Sequence, residues 1–98
     1  MPDLYELSAP LWLYDGPAAW HFLSVPAEAS SEIRAEFRGI SGGFGSLRVE
    51  VTIGATVWRT SIFWDGKSAT YVLPVKAQVR KAESLRAGDE VRILLRLL

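Results

Sequence analysis

The sequence has no cysteine and only one histidine, His21. Disulfides, thiolate catalysis and cysteine-based metal sites are therefore excluded, and a cluster of histidine ligands for a metal is excluded too. As a general base His21 would need a positioned partner, and the sequence shows none, so a surface or structural role is the better interpretation. We predict no metal, no cofactor and no catalytic residue, although an enzyme stays open because a small fold can still present a few polar groups.

Neither sign of charge is in excess, because 11 Lys and Arg residues balance 11 Asp and Glu residues. Proteins that bind nucleic acid rely on a positive field, so a nucleic-acid partner is not expected. No run of residues approaches the ~20 apolar residues of a membrane span. The first residues lack the basic start and apolar run of a signal peptide. We expect a cytoplasmic protein with no membrane segment.

What is present is enough apolar sequence to form a core. The 98 residues are 49% hydrophobic, which is typical of a folded protein and too apolar for a disordered one. A chain of this length normally builds one core. We therefore predict a single domain over residues 1–98.

The first half of the chain alternates in two segments. Residues 4–14 place apolar side chains on one face, namely Tyr5, Leu7, Ala9, Leu11 and Leu13. After the turn signal at residues 15–17, residues 18–25 form a second strand with Trp20 and Phe22 on one face. Pro26 then marks the start of a helix that runs to residue 38. The glycine-rich stretch at 39–46 resembles a phosphate-binding loop only superficially, since that motif needs a strand before it and a helix after it. A flexible connector is predicted.

The strongest local pattern lies between residues 47 and 62. Apolar and polar residues alternate from Leu47 to Ile53, and Gly54 suits the first central position of a type II′ hairpin turn. That turn sets Val51 opposite Trp58 on the inner face. It also sets Glu50 opposite Arg59 on the outer face, where their charges attract.

Three further segments complete the chain: a strand at 69–75, a short helix at 76–84 and a last strand at 91–97 with an apolar residue, Leu94, on its polar face. The order is β-β-α-β-β-β-α-β. Short alternating strands favour closure, which removes exposed edges. We predict a mainly β fold, a small closed six-stranded barrel with two short helices.

Several stretches together carry a family resemblance. They run from Trp20 to Pro26, Leu47 to Ile53, Trp58 to Ile62, Tyr71 to Lys76, Val79 to Ala82 and Leu85 to Val91. The chain resembles the bacterial family called domain of unknown function 1905 along nearly its whole length. The resemblance implies a small β-barrel with two helices and implies no activity. Trp64 stands where it implies a smaller residue or proline, which leaves open a changed pocket rim or an engineered substitution.

Aromatic residues are the main candidates for binding. Four tryptophans are many for 98 residues, although aromatic side chains also fill small cores. The candidate ligand-binding residues are Trp20, Trp58, Phe63, Trp64 and Tyr71. Lys76 and Arg80 lie four residues apart, share a helix face and are candidates for holding an anion; a solvated face is the alternative.

Three functions remain open. The first is a binding module for a small apolar or aromatic molecule at an aromatic-lined barrel mouth, where ligands commonly sit. The second is a protein-interaction or homodimerisation module that uses Trp64, Phe44 and the last strand. The third is nucleic-acid binding, since residues 85–91 are superficially similar to a turn in swapped-hairpin barrels; the balanced charge argues against it.

Overall fold

The computed structural model describes residues 3–37 and 45–98. These residues form strands and helices in the predicted order. The elements are β1 (Leu4–Leu13), β2 (His21–Ser24), α1 (Ala27–Phe37), β3 (Ser46–Ile53), β4 (Thr56–Asp65), β5 (Thr70–Pro74), α2 (Ala77–Ala82) and β6 (Glu90–Leu97). Residues 39–44 of the glycine-rich connector predicted at 39–46, with Phe44 among them, lie outside the described residues. No helix within 3–37 and 45–98 is long and apolar enough to cross a membrane.

The six strands close into a barrel in the order β1-β2-β5-β4-β3-β6, with β6 paired to both β3 and β1. Each neighbouring pair is antiparallel. The closed six-stranded barrel predicted from the alternating pattern is therefore confirmed. Closure gives each strand two hydrogen-bonded neighbours, so that no strand is left as an open edge.

The β3–β4 hairpin has the predicted register. Val51 lies opposite Trp58 and Glu50 opposite Arg59, and the outer pair forms a salt bridge with 3.6 Å between Arg59 Nε and Glu50 Oε2. Gly54 has a φ of +57°, the positive value that a type II′ turn requires at its first central position. A shift by one residue would turn Trp58 outward and separate the charges, so turn and pattern specify the same register.

Inward-facing side chains fill the barrel. Aliphatic residues contributed by the strands have no solvent exposure, among them Leu23, Val49, Ile62, Leu73 and Leu95. Protein interiors packed in this way contain few voids larger than a water molecule. A ligand could therefore bind only at an end of the barrel or on its outer surface.

The two helices lie at opposite ends of the barrel. Glu83, the residue that caps the C-terminus of α2, accepts a hydrogen bond from the Thr56 hydroxyl at 2.6 Å, at the start of β4. Arg34 of α1 lies over the ring of Trp64, near the end of the same strand. Because β4 runs the length of the barrel, α1 and α2 cover different ends.

The predictions made from the alternating pattern are wrong at the ends of two strands. Leu13 was predicted on the same face as the core residues Ala9 and Leu11, but its side chain is 51% exposed. It is the last residue of β1 and pairs with His21, the first residue of β2, at the end of the two strands. Trp20 was predicted within the second strand, yet β2 begins at His21 and Trp20 belongs to the preceding loop. Alternation predicts the face of a residue but not where the barrel ends.

Candidate functional site

A pocket opens beside α2 at one end of the barrel, and we call it the mouth pocket. Its volume is about 430 Å³, within the range of about 300–1,000 Å³ typical of small-molecule sites. It is lined by Ala18, Ala19, Trp20, His21, Trp58, Arg59, Thr60, Pro74, Val75, Lys76, Ala77 and Arg80. Four of the predicted binding residues, Trp20, Trp58, Lys76 and Arg80, are therefore brought together here.

Two different elements supply the tryptophans. Trp58 points inward from β4 and is half-buried against the core. Trp20 stands on the loop between β1 and β2, and its carbonyl accepts a hydrogen bond from the Tyr14 N–H at 2.7 Å. Ala19 before it has a φ of +51°, a left-handed conformation that costs a non-glycine residue about 1–2 kcal/mol. The loop therefore holds Trp20 at the pocket through a strained backbone.

Of the described residues that line the mouth pocket, three are cationic and none carries a carboxylate. Arg80 of α2 is half-buried, and its Nη1 donates a hydrogen bond of 2.7 Å to the Val75 carbonyl. Lys76, at the N-terminus of α2, is exposed. Arg59 is paired with Glu50, so its charge is partly balanced. Arg80 and Lys76 therefore contribute most of the uncompensated positive charge.

His21 adds a group of a different kind. Its Nδ1 lies 3.0 Å from the Ala19 carbonyl oxygen. A carbonyl only accepts, so Nδ1 carries the hydrogen in this bond, and in the neutral ring Nε2 is then an acceptor. In this neutral form His21 gives the pocket lining a hydrogen-bond acceptor beside the donors of Lys76 and Arg80.

An apolar groove adjoins the mouth pocket on the outer surface of the barrel. Its volume is about 330 Å³, and it is lined by Tyr14, Trp20, Phe22, Phe63, Val72 and Pro74. Trp20 stacks on Phe22 with ring centroids 6.0 Å apart and planes at 11°. Because Trp20 and Pro74 line both spaces, the groove continues into the mouth pocket.

The remaining two predicted aromatic residues lie elsewhere. Tyr71 is buried, with 1% exposure, and packs edge-on against Trp64 at 5.1 Å. The Cζ of Arg34 lies 3.9 Å from the Trp64 ring centroid. Trp58 and Trp64 share the inner face of β4 but are six residues apart, about 20 Å along a strand. Trp64 therefore belongs to the α1 end, and neither it nor Tyr71 lines the mouth pocket or the groove.

Some lining residues were not predicted. Tyr14 and Pro74 entered no sequence-based site, and His21 was considered only as a catalytic base. The turn signal at residues 15–17 indicated a loop after β1, but nothing in the sequence indicated that the loop folds towards β5 and α2. These contacts join segments about 50 residues apart along the chain, for which periodicity gives no signal.

Comparison with known proteins gives one result on identity. No curated protein matches this chain. A family model described as a domain of unknown function, DUF1905, matches residues 8–95, nearly the whole chain, and confirms the expected family. The chain belongs to the DUF1905 family of domains of unknown function.

Proposed function

We propose that this barrel is a non-catalytic module that binds a small aromatic or apolar molecule in the mouth pocket. The observation that carries the proposal is the convergence of Trp20 and Trp58 on one open pocket while the interior of the barrel is filled. Apolar pockets with a few polar groups are the usual form of small-molecule sites. Here the polar groups are the cations and His21.

The exposure of Trp20 supports this proposal. Its side chain is 52% exposed, although a tryptophan can bury about 150–250 Å². Covering about 100 Å² of that surface would contribute about 2.5 kcal/mol at 25 cal/mol per Å². A ligand that covers Trp20 therefore gains an appreciable part of a micromolar affinity from this one contact.

The absence of an activated nucleophile favours binding over catalysis. Nucleophilic catalysis by a hydroxyl requires an adjacent base. Among the described residues that line the mouth pocket, Thr60 is the one that carries a hydroxyl. His21 is bonded to the Ala19 carbonyl, and in the described part of the chain no hydrogen bond joins it to Thr60. The pocket therefore offers contacts rather than a reaction.

Fluorescence titration with N-phenylnaphthylamine, a neutral aromatic probe, tests the proposal. We expect saturable binding to the wild-type protein and about tenfold weaker binding to Trp20→Ala. Leu13→Ala is the matched control, because Leu13 is equally exposed but lines neither space. Equal losses in the two variants, or no saturable binding to the wild type, would contradict the proposal.

A second pair of variants places the probe. Trp58 lines only the mouth pocket and Phe63 only the apolar groove. Trp58→Phe keeps an aromatic ring against the core, and we expect it to weaken binding more than Phe63→Ala does. Binding that Phe63→Ala abolishes and Trp58→Phe leaves unchanged would place the ligand in the groove alone and overturn the assignment to the mouth pocket.

Self-association is the second candidate function. It is favoured by an outer surface on which Leu13, Tyr14, Trp20 and Phe63 are each 45–52% exposed, since exposed apolar patches often mark interfaces. This surface differs from the predicted one, because Trp64 lies beneath Arg34 and Phe44 lies outside the described residues. Sedimentation velocity tests it: a dimer that Phe63→Glu converts to monomer would support the interface, and a monomer at high concentration would exclude it.

A further inference from the structure

We propose that the ligand of the mouth pocket is an anionic amphiphile, with a negatively charged group at Lys76 and Arg80 and an aromatic or apolar part at Trp20. This inference rests on the proposed function and specifies the class of molecule. Two observations carry it: the one-sided charge of the pocket lining and the continuity of the pocket with the apolar groove.

The charge of the lining contrasts with that of the whole chain. The sequence is electrically balanced, yet the described residues that line the mouth pocket include three cations and no acidic residue. Glu50 pairs with Arg59 from outside the lining, whereas no ion pair to Lys76 or Arg80 occurs among residues 3–37 and 45–98. A concave surface lined by one sign of charge concentrates its field and attracts the opposite charge.

Arg80 is held in position for this role. A guanidinium has five N–H donors in a fixed plane, and the bond from Nη1 to the Val75 carbonyl uses one of them and fixes the plane against the end of β5. Arginine binds planar anions such as carboxylates through two parallel hydrogen bonds. Lys76, which is exposed, supplies a second cation four residues before Arg80 along the chain.

The apolar part of the ligand has a continuous path. Trp20 and Pro74 line both the mouth pocket and the groove, so a molecule with its charged group at Arg80 can extend past these residues. In the part of the chain that the structure describes, the groove beyond them is walled by aromatic and aliphatic side chains and by no charged residue. One end of this combined site therefore suits an anion and the other an uncharged apolar group.

Two probes with the same rings separate this inference from the proposed function. Anilinonaphthalene sulfonate carries a sulfonate that N-phenylnaphthylamine lacks. We compare their binding to Lys76→Glu and to Lys81→Glu, since both lysines are exposed and only Lys76 lines the pocket. The two variants change the net charge of the protein equally.

We expect Lys76→Glu to weaken sulfonate binding about tenfold more than it weakens binding of the neutral probe. Lys81→Glu should change neither by more than about twofold. Arg80→Gln should weaken sulfonate binding at least as much as Lys76→Glu, with the folded state checked by circular dichroism. If the neutral probe binds but both lysine variants affect the sulfonate equally, the anionic class is wrong and the proposed function stands. If neither probe binds, both fail.

Discussion

Ser30 provides a stringent test of how α1 is attached to the barrel. Its side chain has no solvent exposure. Its Oγ donates a hydrogen bond to the Val25 carbonyl at 2.8 Å and accepts one from the Tyr71 N–H at 3.0 Å. One hydroxyl thus joins the helix to the chain after β2 and to β5. Ser30→Ala removes both bonds without adding volume.

The expected loss follows from these two contacts. A hydrogen bond contributes about 1 kcal/mol net to the free energy of unfolding, and more when its loss affects a buried group, so two give about 2 kcal/mol. Alanine returns about 0.5 kcal/mol through its higher helix propensity. Ser31→Ala serves as the control, because it gains the same helix propensity at an exposed position of the same helix. The difference between the two variants therefore isolates the hydrogen bonds.

Urea denaturation of both variants gives the measurement. We expect Ser30→Ala to be less stable than Ser31→Ala by about 2 kcal/mol, which corresponds to a melting temperature lower by about 10 °C for a chain of this size. An unchanged dependence on urea would show that the unfolded reference state is the same. A difference below about 0.5 kcal/mol would refute the attachment of α1 through Ser30.

Two other predictions concern local features, the Tyr5 hydroxyl and the turn at Gly54. Burial, together with a hydrogen bond of 3.1 Å from its hydroxyl to Glu32, raises the pKa of Tyr5 to about 12. In the unfolded chain the tyrosine hydroxyl ionises near pH 10. The protonated hydroxyl therefore contributes to the free energy of unfolding in full below about pH 10, and this contribution is lost as the pH rises through about 12. Between pH 9 and 11 the free energy of unfolding, measured by urea titration, should fall by about 1.4 kcal/mol more for the wild type than for Tyr5→Phe. Equal falls in the two proteins would contradict a raised pKa of Tyr5. Gly54→Ala should lower the free energy of unfolding by about 1–2 kcal/mol, because the backbone at Gly54 has a φ of +57°, a conformation that costs a residue with a Cβ about that much. Gly66→Ala, whose Cβ would meet nothing within 4 Å and whose φ is not positive, should be near neutral in the same assay, and equal effects would exclude the backbone conformation at Gly54 as the cause.

Short-range patterns explain why much of the fold was predictable. In the β3–β4 hairpin, alternation fixes the faces, Gly54 fixes the turn, and the Glu50–Arg59 pair agrees with both, so three independent constraints give one register. The order of elements follows from the same local signals. Strand pairing across the chain, such as β2 with β5 and β3 with β6, has no comparable signal, because it depends on packing between distant segments.

The candidate site was predictable only in pieces. Trp20 and Trp58 were selected as aromatic candidates, and Lys76 and Arg80 separately as an anion-binding pair. The structure places all four around one pocket because the loop after β1 folds back beside α2. Trp64 entered the same aromatic set, but its position on β4 places it under α1. Residue type alone does not distinguish the two ends of a barrel.

The most direct test of the account follows the indole N–H signals of the four tryptophans by NMR during titration with anilinonaphthalene sulfonate. Trp58 and Trp20 line the mouth pocket, whereas Trp64 lies at the opposite end beneath Arg34. The account predicts that the signals of Trp58 and Trp20 move together with one dissociation constant while that of Trp64 stays in place. A shift of Trp64 with Trp58 unmoved, or no shift at any concentration, would contradict the claim that the mouth pocket is the binding site.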